Sequence, residues 1–485
     1  MKRKFFVIPA ILGLMFLSVD ADAQYKDKQK KGGEEEPTLA DEVKEQASAS
    51  ESPLEITLEQ AVEIALSENV AVKVADMEIK RNDYARKGTY AALIPQIDLT
   101  GSYQRTIKRQ VMYMDIDIDM PEIPGMGSMP SMDEGMEVGR LNTLAFGVSV
   151  AMPIINAQLW KSVQMSKQGI ELAIEKARSS KLETITQVKQ AYFSTLLAKE
   201  AFNVYKQVYE NALSNYNETE NKVKVQKASE MDLLRAKTTV ANAIPNVYNA
   251  ESNIALSLWQ LKAVMGVELD LNIDVTGHLD DYSEQMFRDI HENDDMNLSQ
   301  NSTMKQLEIQ SEQLAQMVKL KKFAYIPTLG VGFNFSYNTM ANDVPANQFR
   351  WTPYSYVGVS LTVPICSGGK RLQDVRIAKN QHAQLQYQIS DTERKLKIAV
   401  QSHLNKMETN MKSYYAAKDA VEMAQKSYNI VCKSYEVGRS TLLDLNDAQL
   451  ALTQAQLGQY QAIYNFVSAK ADLEQVIGAE VASKL

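Results

Sequence analysis

The sequence predicts a mainly α-helical chain with a small transmembrane β-barrel portion, its long coiled-coil helices arranged in two copies of one unit. Three observations carry that expectation. Glycine and proline are sparse, 21 and 13 in 485 residues, which suits a few very long helices better than many short elements. Two stretches, about Asn156 to Lys224 and Lys370 to Glu436, contain no proline. In the second, Ile389, Leu396, Val400, Leu404, Met407, Met411 and Tyr414 recur at threes, fours and sevens, a coiled-coil-like stripe. Each half of the chain also carries a pair of segments with the alternation of strands.

In chain order, Lys2, Arg3 and Lys4 precede the apolar run Phe5 to Leu17, and Ala21, Asp22 and Ala23 read as a small-x-small cleavage site. Residues 1–23 are therefore expected to be a secretory signal peptide. The run of about 13 apolar residues is short of the roughly 20 that a spanning helix needs. Residues 24–52, charged and almost free of aromatics, read as a flexible leader. No cysteine follows the cleavage site, so a lipid-modified N-terminus is not expected. Cys366 and Cys432 would lie about 100 Å apart on one helix, and are expected to be free, buried thiols.

The first unit is expected over 53–267. Thr57 can cap a helix, with Gln60 at the capping-box position, and that helix should run to about Leu93. After Ile94 and Pro95 the period changes to two: Ile97, Leu99 and Tyr103 alternate with Asp98, Thr100, Ser102 and Gln104. Leu144 to Met152 behaves alike, giving a hairpin over 96–152, followed by the long helix and a return helix from about Ser229 to Met265. Pro245 should kink the return helix.

A connecting segment, 268–302, is acidic and irregular and is expected to form a peripheral belt. The second unit, 303–485, repeats the order, with a hairpin over 328–364, a long helix, and a return helix from about Thr441 to Val476. Pro95 and Pro327, and Pro153 and Pro364, mark matching hairpin ends. Gly368 and Gly369 after Pro364 turn strand into helix; Lys370 follows them, but the spacing of a phosphate-binding loop is absent. Both return helices end at glycine, Gly266 and Gly478.

The duplication is most explicit at the turns between helices. Val437 to Leu452 reads VGRSTLLDLNDAQLAL, and Val225 to Val240 reads VQKASEMDLLRAKTTV. Val225, Asp232, Leu233 and Ala236 stand opposite Val437, Asp444, Leu445 and Ala448, whereas Arg235 stands opposite Asp447. Asp444 and Asp447 are three apart and share a helix face. Solvated first-turn carboxylates favoured by the helix dipole are the plain explanation.

No later stretch approaches 18 uninterrupted apolar residues, so no transmembrane helix is expected. Strands of about ten residues suit a barrel wall in a membrane, but four cannot close, since a closed barrel needs about eight or more. The open edges must pair with other chains, and three copies would give twelve strands.

From LEQAVEIALSEN onward the chain resembles the TolC-like outer-membrane efflux proteins. The strand-to-helix junction VPICSGGKRLQDVRIAKN, the turn YEVGRSTLLDLNDAQLAL and the internal duplication carry the resemblance. It implies a homotrimer with a twelve-stranded barrel among outer-membrane lipid and an α-helical tube through the periplasm. It also implies partners: a periplasmic adaptor on the turns Val225, Gln226, Lys227, Ala228 and Val437, Gly438, Arg439, Ser440, and an inner-membrane transporter beyond it. By the same resemblance Asp444 and Asp447 form an acidic ring at the channel entrance. Such a ring would favour cations, and crowding would raise some of its pKa values. Asp232, Tyr435 and Arg439 become gate contacts. Arg439 where threonine is common, Gln226 where glycine is common, and Pro245 are departures.

Other signals are weaker. Lys108 to Gly139 holds seven methionines and seven acids; thioethers suit Cu(I), but a loop facing outside the cell is read as a surface loop. Tyr103, Tyr337, Phe349, Trp351, Tyr354 and Tyr356 are candidates for an interfacial girdle. His278, His291, His382 and His403 form no HExxH, and no GxSxG or paired CxxC occurs, so no enzyme, cofactor or metal is expected. The formal charge of −8 gives no general pull toward nucleic acid. An outer-membrane exit duct for efflux or type I secretion is the expectation; its rival is a trimeric coiled-coil surface or envelope protein.

Overall fold

The computed structural model describes residues 53–113, 136–283, 298–342 and 350–478. The signal peptide, the leader, most of the methionine-rich loop, His291 and Phe349 lie outside the described residues. The chain divides into two compact units, one holding 177–301 and 395 onward with the N-terminal part to Ala75, the other 76–176 and 302–394.

The second of these units holds the sheet. Its strands are β2 (Gln96–Arg105), β5 (Asn142–Ile155), β7 (Thr328–Ala341) and β8 (Thr352–Thr362), in the order β2-β5-β7-β8 and antiparallel throughout. A side ribbon of β3 (Gln110–Met112) and β4 (Met136–Val138) extends from the β2–β5 connection. The two expected hairpins are thus one sheet, joined where β5 of the first repeat pairs with β7 of the second. Pro153 lies inside β5, at a register shift, rather than at its end.

Directly opposed residues share a face. One face carries Ile97, Leu99 and Tyr103, then Leu144, Phe146, Val148 and Val150, then Phe333, Phe335 and Tyr337, and finally Val357, Val359 and Leu361. The other carries Asp98, Thr100, Ser149, Asn334, Ser336 and Ser360, with glycines between. The apolar face is open: Leu99 is 72% and Val357 73% exposed. Tyr354 and Tyr356 oppose Ser336 and Asn334, on the polar face, so these two depart from the expected girdle. Trp351 stays with Phe146, ring centroids 5.8 Å apart.

The helices match the predicted order with one break. The opening helix is two: α1 (Leu58–Glu68) and α2 (Val70–Ala91). Thr57 and Gln60 make the expected capping box on α1. Asn69 takes an extended ψ of 130° and its Oδ1 accepts from Ala71 N–H at 2.7 Å, starting a new helix. The remaining helices are α3 (Ala157–Lys224), α4 (Glu230–Met265), α5 (Ser302–Phe323), α6 (Lys370–Glu436) and α7 (Leu442–Ile477). Pro245 sits inside α4, which continues across it. No described helix is long and apolar enough to cross a membrane.

The core of the other unit gathers Ile56, Val62, Ile64, Tyr192, Leu196, Leu261, Met265, Ile463 and Phe466 with the α6 stripe Val400, Met407 and Tyr414. A short parallel pair, β1 (Leu54–Ile56) with β6 (Ile273–Val275), closes it, and Tyr192 Oη donates to Thr276 O at 2.7 Å. The duplication reappears as a clasp: Asn69 Nδ2 donates to Val264 O at 2.7 Å, and Asn301 Nδ2 to Val476 O at 2.5 Å. In each case a Cβ added to the glycine ending the return helix, Gly266 or Gly478, would collide with the backbone at that asparagine and the residue before it. Cys366 is exposed and Cys432 half-buried, against the expectation of two buried thiols.

Candidate functional site: the duplicated tip turns

Both helix-to-helix turns are built by the same hydrogen bonds. At the second, Arg439 N–H donates to Ser434 O at 2.7 Å and Gly438 N–H to Tyr435 O at 3.1 Å, with Gly438 left-handed at φ +75°. This is a Schellman ending. At the first, Lys227 N–H donates to Lys222 O at 2.7 Å and Gln226 N–H to Val223 O at 2.9 Å. Gln226 occupies the left-handed position, φ 58°, the sole non-glycine among the described residues with positive φ. The sequence departure at Gln226 is therefore a residue carrying strain that glycine would not.

Each return helix then opens on a capping box. Thr441 Oγ1 donates to Asp444 Oδ2 at 2.7 Å, Thr441 N–H donates to the same oxygen at 2.8 Å, and Asp444 N–H donates back to Thr441 Oγ1 at 3.2 Å. Ser229 and Asp232 repeat this at the start of α4. Asp444 and Asp232 thus each have a structural task within one chain. The hydrogen bonds from Thr441 hold the exposed Asp444 carboxyl below its ordinary pKa, the opposite direction from crowding between neighbouring acids. Asp447, one turn on, is exposed and carries no ion pair among the described residues.

Tyr435 is buried in a small apolar cluster with Ala236, Leu442 and Leu445. Thr219 Oγ1 donates to Asn215 O at 2.7 Å, which leaves the Tyr435 hydroxyl, 2.6 Å away, to donate to Thr219. Lys222 Nζ donates to Tyr435 O at 2.8 Å, stands 4.2 Å from its ring centroid, and pairs with Glu218 at 2.7 Å. Thr219 and Lys222 are functional candidates that sequence reading missed, for nothing local to them signals a tyrosine over 200 residues away. The structure does not bring Asp232 or Arg439 to Tyr435's hydroxyl. Arg439's side chain makes no ion pair among the described residues. The apolar turn residues Val225 and Val437 are 61% and 70% exposed.

The turn at Pro364, Gly368 and Gly369 lies between β8 and α6. Both glycines have positive φ, and Arg371 Nη1 donates to Pro364 O at 2.9 Å. That geometry suits a strand-to-helix corner. Among the described residues no cluster of metal-ligating side chains is found.

The chain as a whole is similar to known proteins. The chain is 20% identical over 348 residues to the outer membrane protein TolC of Escherichia coli, covering 70% of each. It is 27% identical over 168 residues to the outer membrane efflux protein BepC of Brucella suis, a match spanning 35% of this chain and 36% of that protein. The fold superposes on the Campylobacter jejuni CmeC outer membrane channel with a TM-score of 0.66 at 18% identity, covering 87% of this chain and 85% of that one. The model of the family described as outer membrane efflux protein matches residues 61–267 and 295–479. The chain belongs to the outer membrane efflux protein family and is an outer-membrane channel protein, which sets aside the coiled-coil spacer.

Proposed function

We propose that three copies of the chain assemble into a twelve-stranded barrel continued by a helical periplasmic tube. This duct is the passive exit of a tripartite efflux or type I secretion system. The chain catalyses nothing; an inner-membrane transporter supplies the energy, through a periplasmic adaptor seated on Val225 to Ala228 and Val437 to Ser440. The observation that carries the reading is the sheet: an open apolar face backed by a polar one, with β2 and β8 both lacking an outer partner among the described residues. An apolar surface of that extent needs a nonaqueous neighbour. The first test is the mass and outline of the signal-processed protein extracted from outer membranes in detergent. A trimeric mass with a barrel supports the duct, and a monomer overturns it.

At the tip we assign Asp447 to the aperture charge, and to Asp444 the double role of cap and ring member. Three chains would bring six carboxylates to the entrance, favouring cations. The network of Tyr435, Thr219 and Lys222 supports a rigid resting tip. In a bilayer recording of an opened channel, Asp447→Ala should lower cation selectivity without loosening the turn, whereas Asp444→Ala should do both. Unchanged selectivity in the double variant would refute the ring.

A further inference from the structure

The unit that carries the sheet also holds a groove of about 810 Å³, lined by α3, α5 and α6 together. Gln168 Nε2 on α3 donates to Glu312 on α5 at 3.1 Å, and Gln386 Nε2 on α6 donates to Ser311 Oγ on α5 at 2.6 Å. The middle helix of the three is therefore α5, in the order in which β5, β7 and β8 stand in the sheet. A cavity that touches both outer helices as well as the middle one lies on the concave side of such a layer. Trp160 and Lys167, both well exposed, fall on the opposite face of α3, about 170° from the groove at roughly 100° per residue.

The lining has a definite chemistry. Leu385 is buried, and Met165, Leu172, Leu314 and Met317 are half-buried, so the floor is apolar. Gln381, Gln384 and Gln388 are exposed along one wall, and Gln310 and Gln313 add two further amides. Ser162 and Ser166 supply hydroxyls. Lys176, exposed at one end, is the one charged group in the lining among the described residues, and no carboxylate is present there. The charges of α5, at Glu308, Glu312 and Lys319, lie roughly 135° or more away around the helix. A size of several hundred Å³, an apolar floor and a few hydrogen-bonding groups are the attributes of a small-molecule site.

We propose that this groove is a cargo-contact site on the inner wall of the duct, for an uncharged amphipathic organic molecule with an apolar body and amide or hydroxyl groups. The inference rests on the duct reading, in which the concave side of each chain's helices faces the lumen. The absence of charge selects the occupant. Carboxamides donate and accept equally, so they match neutral polar groups of either kind. A cation leaving water for the floor would find no counter-charge, and desolvating it would cost more than the contact returns. Lys176 stands in open water, where salt screens it, and offers an anion little compensation.

Three probes of one skeleton test it: N-acetyltryptophanamide, uncharged; tryptophanamide, a cation; and N-acetyltryptophan, an anion. They are titrated into the full-length protein in neutral detergent with its methionine methyl groups labelled with carbon-13, the Met165 and Met317 signals being assigned by Met165→Leu and Met317→Leu. Both signals should shift and saturate with N-acetyltryptophanamide, at a concentration about fivefold or more below that for either charged probe. Gln313→Glu, which sets a carboxylate in the lining without changing side-chain size, should reverse the order of the uncharged and cationic probes. Lys167→Glu, on the opposite face of α3, should leave the order as it is. Equal affinity for all three probes, or no shift at either methyl group, would overturn the site. A reversal in Lys167→Glu but not in Gln313→Glu would overturn its placement on the concave face. The mass of the same sample separates the two readings: a monomer defeats the duct, whereas a trimer whose methionines ignore the probes defeats only this inference.

Discussion

Glycines 438 and 478 share a backbone conformation but not surroundings, and alanine at each separates two physical costs. Gly438 has φ +75° and nothing within 4 Å of where a Cβ would stand. Gly478 has φ +74°, yet its Cβ would lie 2.3 Å from Gln300 O and 2.8 Å from that carbonyl's carbon. The left-handed conformation alone costs an L residue about 1 to 2 kcal/mol. Loss of glycine's freedom in the unfolded chain returns roughly 0.4 to 1 kcal/mol. Gly438→Ala should therefore cost about 1 kcal/mol. At Gly478 overpacking against fixed backbone adds about 1 to 3 kcal/mol, for a total near 3. At roughly 1.4 kcal/mol per tenfold, local opening should rise about fivefold at the tip and over a hundredfold at the clasp. Amide hydrogen exchange reads both: the segment 298–302 with 474–478 in one variant, the tip turn in the other. Gly266→Ala, whose Cβ would meet Glu68 O at 2.7 Å, should follow Gly478. Similar acceleration at all three sites would refute the packing argument.

Tyr435→Phe deletes a buried hydroxyl that serves Thr219, so tip amides should exchange roughly fivefold faster for a loss near 1 kcal/mol; unchanged exchange would contradict that donor assignment. Gln226→Gly should stabilise the first turn by about 0.5 to 1 kcal/mol, measured by the same exchange, since it relieves a left-handed glutamine. Val357→Arg should cost the proposed barrel roughly 2 to 4 kcal/mol of stability and lower the amount recovered in outer membranes. Tyr356→Arg, on the other face, should be tolerated, and equal losses would mean that the faces are misassigned. The two histidines should respond to pH with opposite sign. His278 is raised by its hydrogen bond to Glu200, so its clamp is complete below the ordinary histidine range and is lost as pH climbs through the raised value. His403 is lowered by burial, so its region is most stable above that range and weakens as pH falls. Exchange of the two segments against pH checks both slopes.

Periodicity and caps made the helices legible, because those signals lie within a few residues of each other. The α3 and α6 boundaries follow from where proline and glycine are absent and where they return. Thr57 with Gln60 was readable as a cap; Ser229 with Asp232 and Thr441 with Asp444 carry a similar local pattern, but their carboxylates drew attention to an aperture instead. The break at Asn69 has a local element, its cap on Ala71 N–H, but the contact that holds the asparagine there, Val264 O, is 195 residues away. Alternation says which residues share a face and is silent about the neighbouring strand, so the β5–β7 pairing between repeats was not foreseen. The alternation Val357, Val359, Leu361 did contain the face of Tyr354 and Tyr356, and the aromatic count obscured it.

The sheet has an arithmetical property with a bearing on how copies join. With four antiparallel strands, β2 and β8 run in opposite directions, so in the proposed trimer the trailing margin of one molecule would meet the leading margin of the next with the polarity that β5 and β7 have inside a chain. An odd number would force a parallel seam at every junction. The even count lets a ring be made from one gene product without a special closing joint, and any insertion or loss of a single strand would disturb every seam at once.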